Sequence, residues 1–189
     1  MIAVADDVLL ARAYLSRVGE PASIGLWRLV RDLGPVDAVR ALRTGQVPQH
    51  LADETAARRT TVDPEADLAA AQRHGLRLVV PESQEWPSFA LGALESAVVP
   101  RARAHAGASY RRNESGEPVP PLALWVRGPA DLAALGMRSV GIVGSRAATS
   151  YGSHVTAELA YGLARAGVSV VSGGAYGIDD VCLVVRRHV

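Results

Sequence analysis

SVGIVGSR (139–146), the segment 147–167, and then VSVVSGGAYGID (168–179) decide how this chain is read. The first string is an apolar run that ends in Gly144, Ser145 and Arg146. The last is a second apolar run that ends in Gly173, Gly174 and Gly177. Unbroken apolar runs of this kind fit strands of a parallel sheet covered on both faces. Between them, Tyr151 to Ala166 places Val155, Leu159, Gly162, Leu163 and Ala166 on one helical face, and Gly167 supplies a stop. The order is strand, polar loop, helix, strand, glycine-rich loop. In such a unit the loop amides and the next helix N-terminus can face an anion.

The two loops carry the chemistry. Gly144 permits a turn that bulkier residues resist, Ser145 adds a hydroxyl, and Arg146 adds a planar five-donor fork suited to phosphate. Thr149 and Ser150 are candidate caps for the helix that follows. Gly173, Gly174 and Gly177 allow a ligand close to the backbone, and Asp179 either caps the next helix or bonds the amides of its own loop. A crossover between parallel strands brings both loops to the carboxyl edge of the sheet. Two adjacent anion-binding loops suit a ligand with several phosphates, a nucleic-acid backbone or a dinucleotide. The glycine spacing does not match G-x-G-x-x-G, since Gly141 and Gly144 lie on the strand, and a P-loop needs a lysine that this chain lacks.

Composition narrows the classes further. The 189 residues are 49% hydrophobic and 21% charged, as in a soluble globular protein, with room for one large domain or two small ones. The formal net charge is +1, so any nucleic-acid contact must come from a local patch. All 20 basic residues are arginine, which excludes Schiff-base lysine chemistry. Cys182 is the sole cysteine, so no internal disulfide or cysteine zinc site forms, and five scattered histidines lack ligand spacing; neither a metal nor a cofactor is expected. The acidic N-terminal stretch is no signal peptide, and no apolar run reaches the ~18 residues of a membrane span, so the expected location is cytoplasmic.

Upstream, residues 4–75 read as a small all-helical domain. Val4, Val8, Ala11, Leu15 and Val18 share one face; Gly34-Pro35 ends a helix that starts at Ile24; Asp63-Pro64 opens one that Gly75 closes. Residues 76–121 read as a connecting segment: a short strand at 76–80, a buried aromatic anchor around Trp86 and Phe89, and a flexible linker with Arg101, Arg103, Arg111 and Arg112 among glycines and prolines. Leu122 to Val126 reads as the first strand of a second domain, 122–189, in which it forms a three-stranded open sheet with the strands at 139–144 and 168–171.

These strings carry a resemblance. VGIVGSR (140–146), Tyr151-Gly152, the helix end at 163–167 and VVSGGAYGID (170–179) resemble the DprA/Smf family, the DNA-processing proteins of natural transformation. LALWVRG (122–128), Glu85-Trp86-Pro87 and the N-terminal helices, which are similar to a SAM or helix-hairpin-helix domain, extend the resemblance over residues 1–179. It implies an α/β fold with a helical domain before an incomplete Rossmann-like parallel sheet. It implies a non-enzymatic protein that binds single-stranded DNA, protects incoming DNA, forms a homodimer and loads RecA recombinase, with no catalytic residue. Carried across, Arg146 matches the family's DNA-contacting arginine, with Gly144 and Ser145 shaping its loop. Gly173, Gly174, Gly177 and Asp179 match the second loop, where Tyr176 offers a stacking surface.

After Ile178-Asp179 the chain departs from the family. DVCLVVRRHV (180–189) is apolar and β-branched at 181–185, with no helical face, and Arg186, Arg187 and His188 read as a frayed tail. A truncated form is the expectation, without the family's later strands and its dimer and RecA surfaces. A three-stranded open sheet buries little, so marginal stability and aggregation are expected. The alternatives are a nucleotide-binding or nucleotide-hydrolysing Rossmann-like protein, for which the sequence lacks a Pro-Gly-Gly-x-Gly-Thr loop, and a fragment without function.

Overall fold

The N-terminal helices end where the sequence places turns and caps. In the computed structural model, which describes residues 4–94 and 119–185, α1 (Asp6–Val18) is followed by α2 (Ile24–Leu33), α3 (Pro35–Thr44), α4 (Gln49–Thr55) and α5 (Pro64–Arg73). The Ser23 hydroxyl accepts from the Leu26 amide to start α2, and Asp63 accepts from the Ala66 amide to start α5, where Pro64 occupies the first turn. Gly34 (φ +79°) serves the end of α2 and the start of α3, a positive-φ position at which a β-carbon is strained.

Met1–Ala130 packs as one unit and Asp131–Val189 as another. The first has a core of Tyr14, Leu15, Val18, Leu26, Val30, Ala38, Leu42 and Leu51. The Tyr14 hydroxyl, at the rim of that core, donates to the Arg59 carbonyl at 2.8 Å. The Arg12 side chain is buried and meets Glu82 through two nitrogens at 2.6 and 3.2 Å, tying α1 to the turn after β1 (Leu76–Val79). A helical stretch, α6, begins at 88 and continues through 94.

β2 (Leu124–Arg127) corrects the sequence reading. It pairs antiparallel with β1, Leu76 opposite Arg127 and Val79 opposite Leu124, and so is not the third strand of a parallel sheet. The pairing is clamped by Arg77, which donates to both Glu85 carboxylate oxygens and to the carbonyls of Gly128 and Ala130. The aromatic anchor is also corrected: Pro87 is buried and Trp86 half-buried, but Phe89 is 74% exposed. The linker arginines 101, 103, 111 and 112 lie outside the described residues, as do Arg186, Arg187 and His188.

The second unit runs α7 (Leu132–Met137), β3 (Ser139–Gly141), α8 (Ser150–Arg165), β4 (Ser169–Val171) and α9 (Ile178–Val185). β3 and β4 pair in parallel, Val140 opposite Val170, which gives an α/β fold. Two expectations fail here. The strands are not covered on both faces, since Val143 is 80% exposed and Val140 and Val171 face solvent. The face of α8 marked by Val155 and Leu159 is also open, and the helix buries Thr156 and Ala160 instead, packing against α9. The non-helical reading of 181–185 is overturned as well, because residues 178–185 are helical. Asp179 and Asp180 suit the positive end of the helix, and Ile178 and Cys182 are one turn apart. β-Branching costs only tenths of a kcal/mol per residue, a weak preference that tertiary context commonly overrides, and α9 lies in contact with α8.

Candidate functional site

β3 and β4 run the same way, so the two segments that leave their carboxyl ends emerge side by side. The pairing continues past the strands: the Ile142 amide donates to Val171 C=O at 2.9 Å, and the Ser172 hydroxyl donates to Ile142 C=O at 2.8 Å. The first loop, 142–149, and the second, 172–177, therefore start from a shared, hydrogen-bonded base.

In the first loop the Ser145 hydroxyl accepts from the Ala147 amide at 3.1 Å, a local turn that tightens the chain just before α8. Thr149, one of the two candidate caps, accepts from the Gly152 amide at 3.1 Å and starts α8. Arg146 lies between the turn and the cap. Its side chain is exposed and makes no ion pair with any described residue. A guanidinium near a helix N-terminus, with donors free, is an arrangement that attracts an anion.

The second loop is organised from within. Asp179 is 6% exposed, and its Oδ2 accepts from the Gly173 amide at 3.1 Å, the second of the two roles open to it from sequence. Gly174 and Gly177 take positive φ, +70° and +88°. Tyr176 is 86% exposed and presents its ring to solvent. Cys182, one turn into α9, is buried and donates to Ile178 C=O at 3.3 Å. Burial pushes its thiol up from the usual range and the neighbouring Asp179 carboxylate pushes the same way, so the thiol stays protonated and unreactive.

The loops touch through glycine. A β-carbon on Gly177 would lie 2.2 Å from Ser145 O and 2.7 Å from Arg146 O, and one on Gly144 would lie 2.7 Å from Ile178 Cγ1. The Ile178 amide donates to Ser145 C=O at 3.2 Å. The structure thus brings Gly144, Ser145, Arg146, Gly173, Gly177 and Asp179 into one assembly, with Gly174 and Tyr176 on its outer loop. Sequence reasoning missed Ile178, which wedges beneath Gly144 and comes near Gly152. An isoleucine after a glycine carries no signal of such a role. Among the described residues, no group of His, Cys, Asp and Glu is placed to hold a metal ion.

Both loops fall inside a matched region. Residues 103–185 match the family described as DNA recombination-mediator protein A. The chain is also 46% identical over 174 residues to the DNA processing protein DprA of Mycobacterium tuberculosis strain CDC 1551 / Oshkosh, and equally to that of strain H37Rv. The chain resembles the DprA family. The match takes in 92% of the chain, so the helical unit shares the DprA relationship with the two loops. The chain spans about two fifths of the length of the curated DprA relatives it matches. No described helix is long and apolar enough to cross a membrane.

Proposed function

We propose that this chain contributes a single-stranded DNA-binding surface of the DprA type, with the backbone phosphates as the recognised group. The observation that carries the reading is the exposed Arg146 guanidinium, without an ion pair to any described residue, on a loop that is pinned at its base and sits at the N-terminus of α8. Gly144 and Ser145 shape that loop. Gly173, Gly174, Gly177 and Asp179 form its neighbour, and the exposed Tyr176 ring offers a face on which a base stacks. Phosphate contact without base-edge readout gives binding that tolerates any sequence. The role is binding rather than catalysis. Protection of incoming DNA, RecA loading and homodimer formation belong to the same proposal.

The test is fluorescence anisotropy of a labelled oligo-dT with the whole chain across a salt series, beside Arg146→Ala. Binding should weaken with salt, and Arg146→Ala should weaken it about tenfold or more, the worth of a charge-assisted hydrogen bond. A folded sample that binds a mononucleotide tightly and oligo-dT not at all, or that hydrolyses a nucleoside monophosphate, would overturn the reading in favour of a nucleotide site.

A further inference from the structure

The second loop has the composition of a phosphate cradle, yet its interior is already occupied. The Gly173 amide, which would face an anion, donates to the buried Asp179 carboxylate. The Ile178 amide at the start of α9 donates to Ser145 C=O. A second anion would have to displace a carboxylate that the protein itself supplies. Meanwhile the backbone at Gly177 lies so close to Ser145 and Arg146 that a β-carbon there would meet both their carbonyl oxygens, and its φ of +88° is one that other residues rarely adopt.

We propose that the backbone of the Gly173–Asp179 loop is a brace and not a phosphate cradle: Gly177 lets it press against the carbonyls of Ser145 and Arg146, and Asp179 holds it in that shape, so that together they fix the direction in which the Arg146 guanidinium meets a phosphate. Gly177 and Asp179 are positioning residues that act through Arg146, and this role rests on the DNA-binding reading of the Arg146 loop. A methyl at residue 177 cannot be accommodated by rotating a side chain, because the atoms it meets are backbone. The Arg146 loop must move.

The salt series separates positioning from general damage. Removing a single phosphate contact on a single strand lowers the slope of log K against log salt by about 0.7–1, whereas a partly unfolded sample loses active protein at an unchanged slope. Gly177→Ala and Asp179→Ala should each weaken oligo-dT binding about tenfold or more and lower the slope as Arg146→Ala does. Gly177→Ala combined with Arg146→Ala should be no weaker than either alone, the signature of residues that act as one unit. Asp179→Asn, which keeps an acceptor oxygen for the Gly173 amide, should restore binding. If Gly177→Ala does not fold, the Asp179→Ala and Asp179→Asn pair decides by the same criteria.

Three results overturn the brace while leaving the DNA-binding reading intact: wild-type affinity and slope in both Gly177→Ala and Asp179→Ala, weakening at an unchanged slope, or additive loss in the double variant. Absence of Arg146-dependent binding in the wild-type chain overturns the DNA-binding reading and the brace with it.

Discussion

The two units bury different things. In the N-terminal unit the large apolar side chains are inside: Tyr14, Leu15, Leu26, Leu42 and Leu51 are almost wholly shielded. In the C-terminal unit Val143, Val155, Leu159 and Val171 are exposed, and the described buried residues are Thr156, Ala160, Asp179 and Cys182. The first unit holds its shape through apolar burial. The second holds its described order through strand pairing, one buried carboxylate and backbone contacts that require glycine. The loop that carries Arg146 is therefore fixed by hydrogen bonds at its base, in a unit whose apolar surface is thinly covered.

The tryptophans make this contrast measurable. Trp27, Trp86 and Trp125 all lie in the first unit and none in the second, so tryptophan fluorescence follows the first unit alone. The largest expected effect is that of Leu42→Ala. Removing a fully buried leucine should cost the fluorescence-detected urea transition about 2–5 kcal/mol. A loss well below that range would mean that the helical core is as loosely packed as the second unit, and the contrast would collapse.

A smaller effect is expected at Tyr14. Tyr14→Phe removes the bond to Arg59 C=O and should cost about 0.5–1.5 kcal/mol near neutral pH. Burial raises the Tyr14 pKa above its usual 10, against a smaller lowering by Arg43. The folded state then keeps its proton while the unfolded state loses it. The stability this contributes is fully present below pH 10 and is lost as pH rises from there through the folded value. Urea transitions of the wild type measured above pH 10 should therefore fall more steeply with pH than those of Tyr14→Phe. Parallel pH profiles would show that the hydroxyl is not buried.

The smallest effect sharpens the contrast from the other side. A β-carbon on Gly162 would meet nothing within 4 Å. Gly162→Ala should therefore stabilise α8 by about 0.5–1 kcal/mol, seen as slower amide exchange along that helix. Faster exchange would mean that this face of α8 is packed in solution, as its apolar spacing first implied.

Much of the first unit was legible because its signals are local. Gly34-Pro35, Asp63-Pro64 and the capping serine act within one turn, and the helices start and stop close to where those residues stand. The loops were legible for the same reason: a glycine-rich stretch after an apolar run has few other uses. What failed was non-local. Leu124–Arg127 is a good strand in any sheet, and nothing within it announces that Leu76–Val79 is its partner. The apolar positions of α8 mark a face without naming what covers it. The valines of 181–185 lower helix propensity, and nothing within that stretch announces that it packs beside α8.

The sequence by itself determined the order of elements, the two loops and the residue types they offer, because backbone conformation at glycine, proline and capping positions is set by atoms a few bonds apart. The tertiary structure alone decided how those residues divide their labour. Asp179 turns inward to an amide, Gly177 rests on two carbonyls, and Arg146 is left exposed with no ion pair to a described residue. These outcomes depend on distances between segments some 30 residues apart, fixed only when β3 and β4 pair.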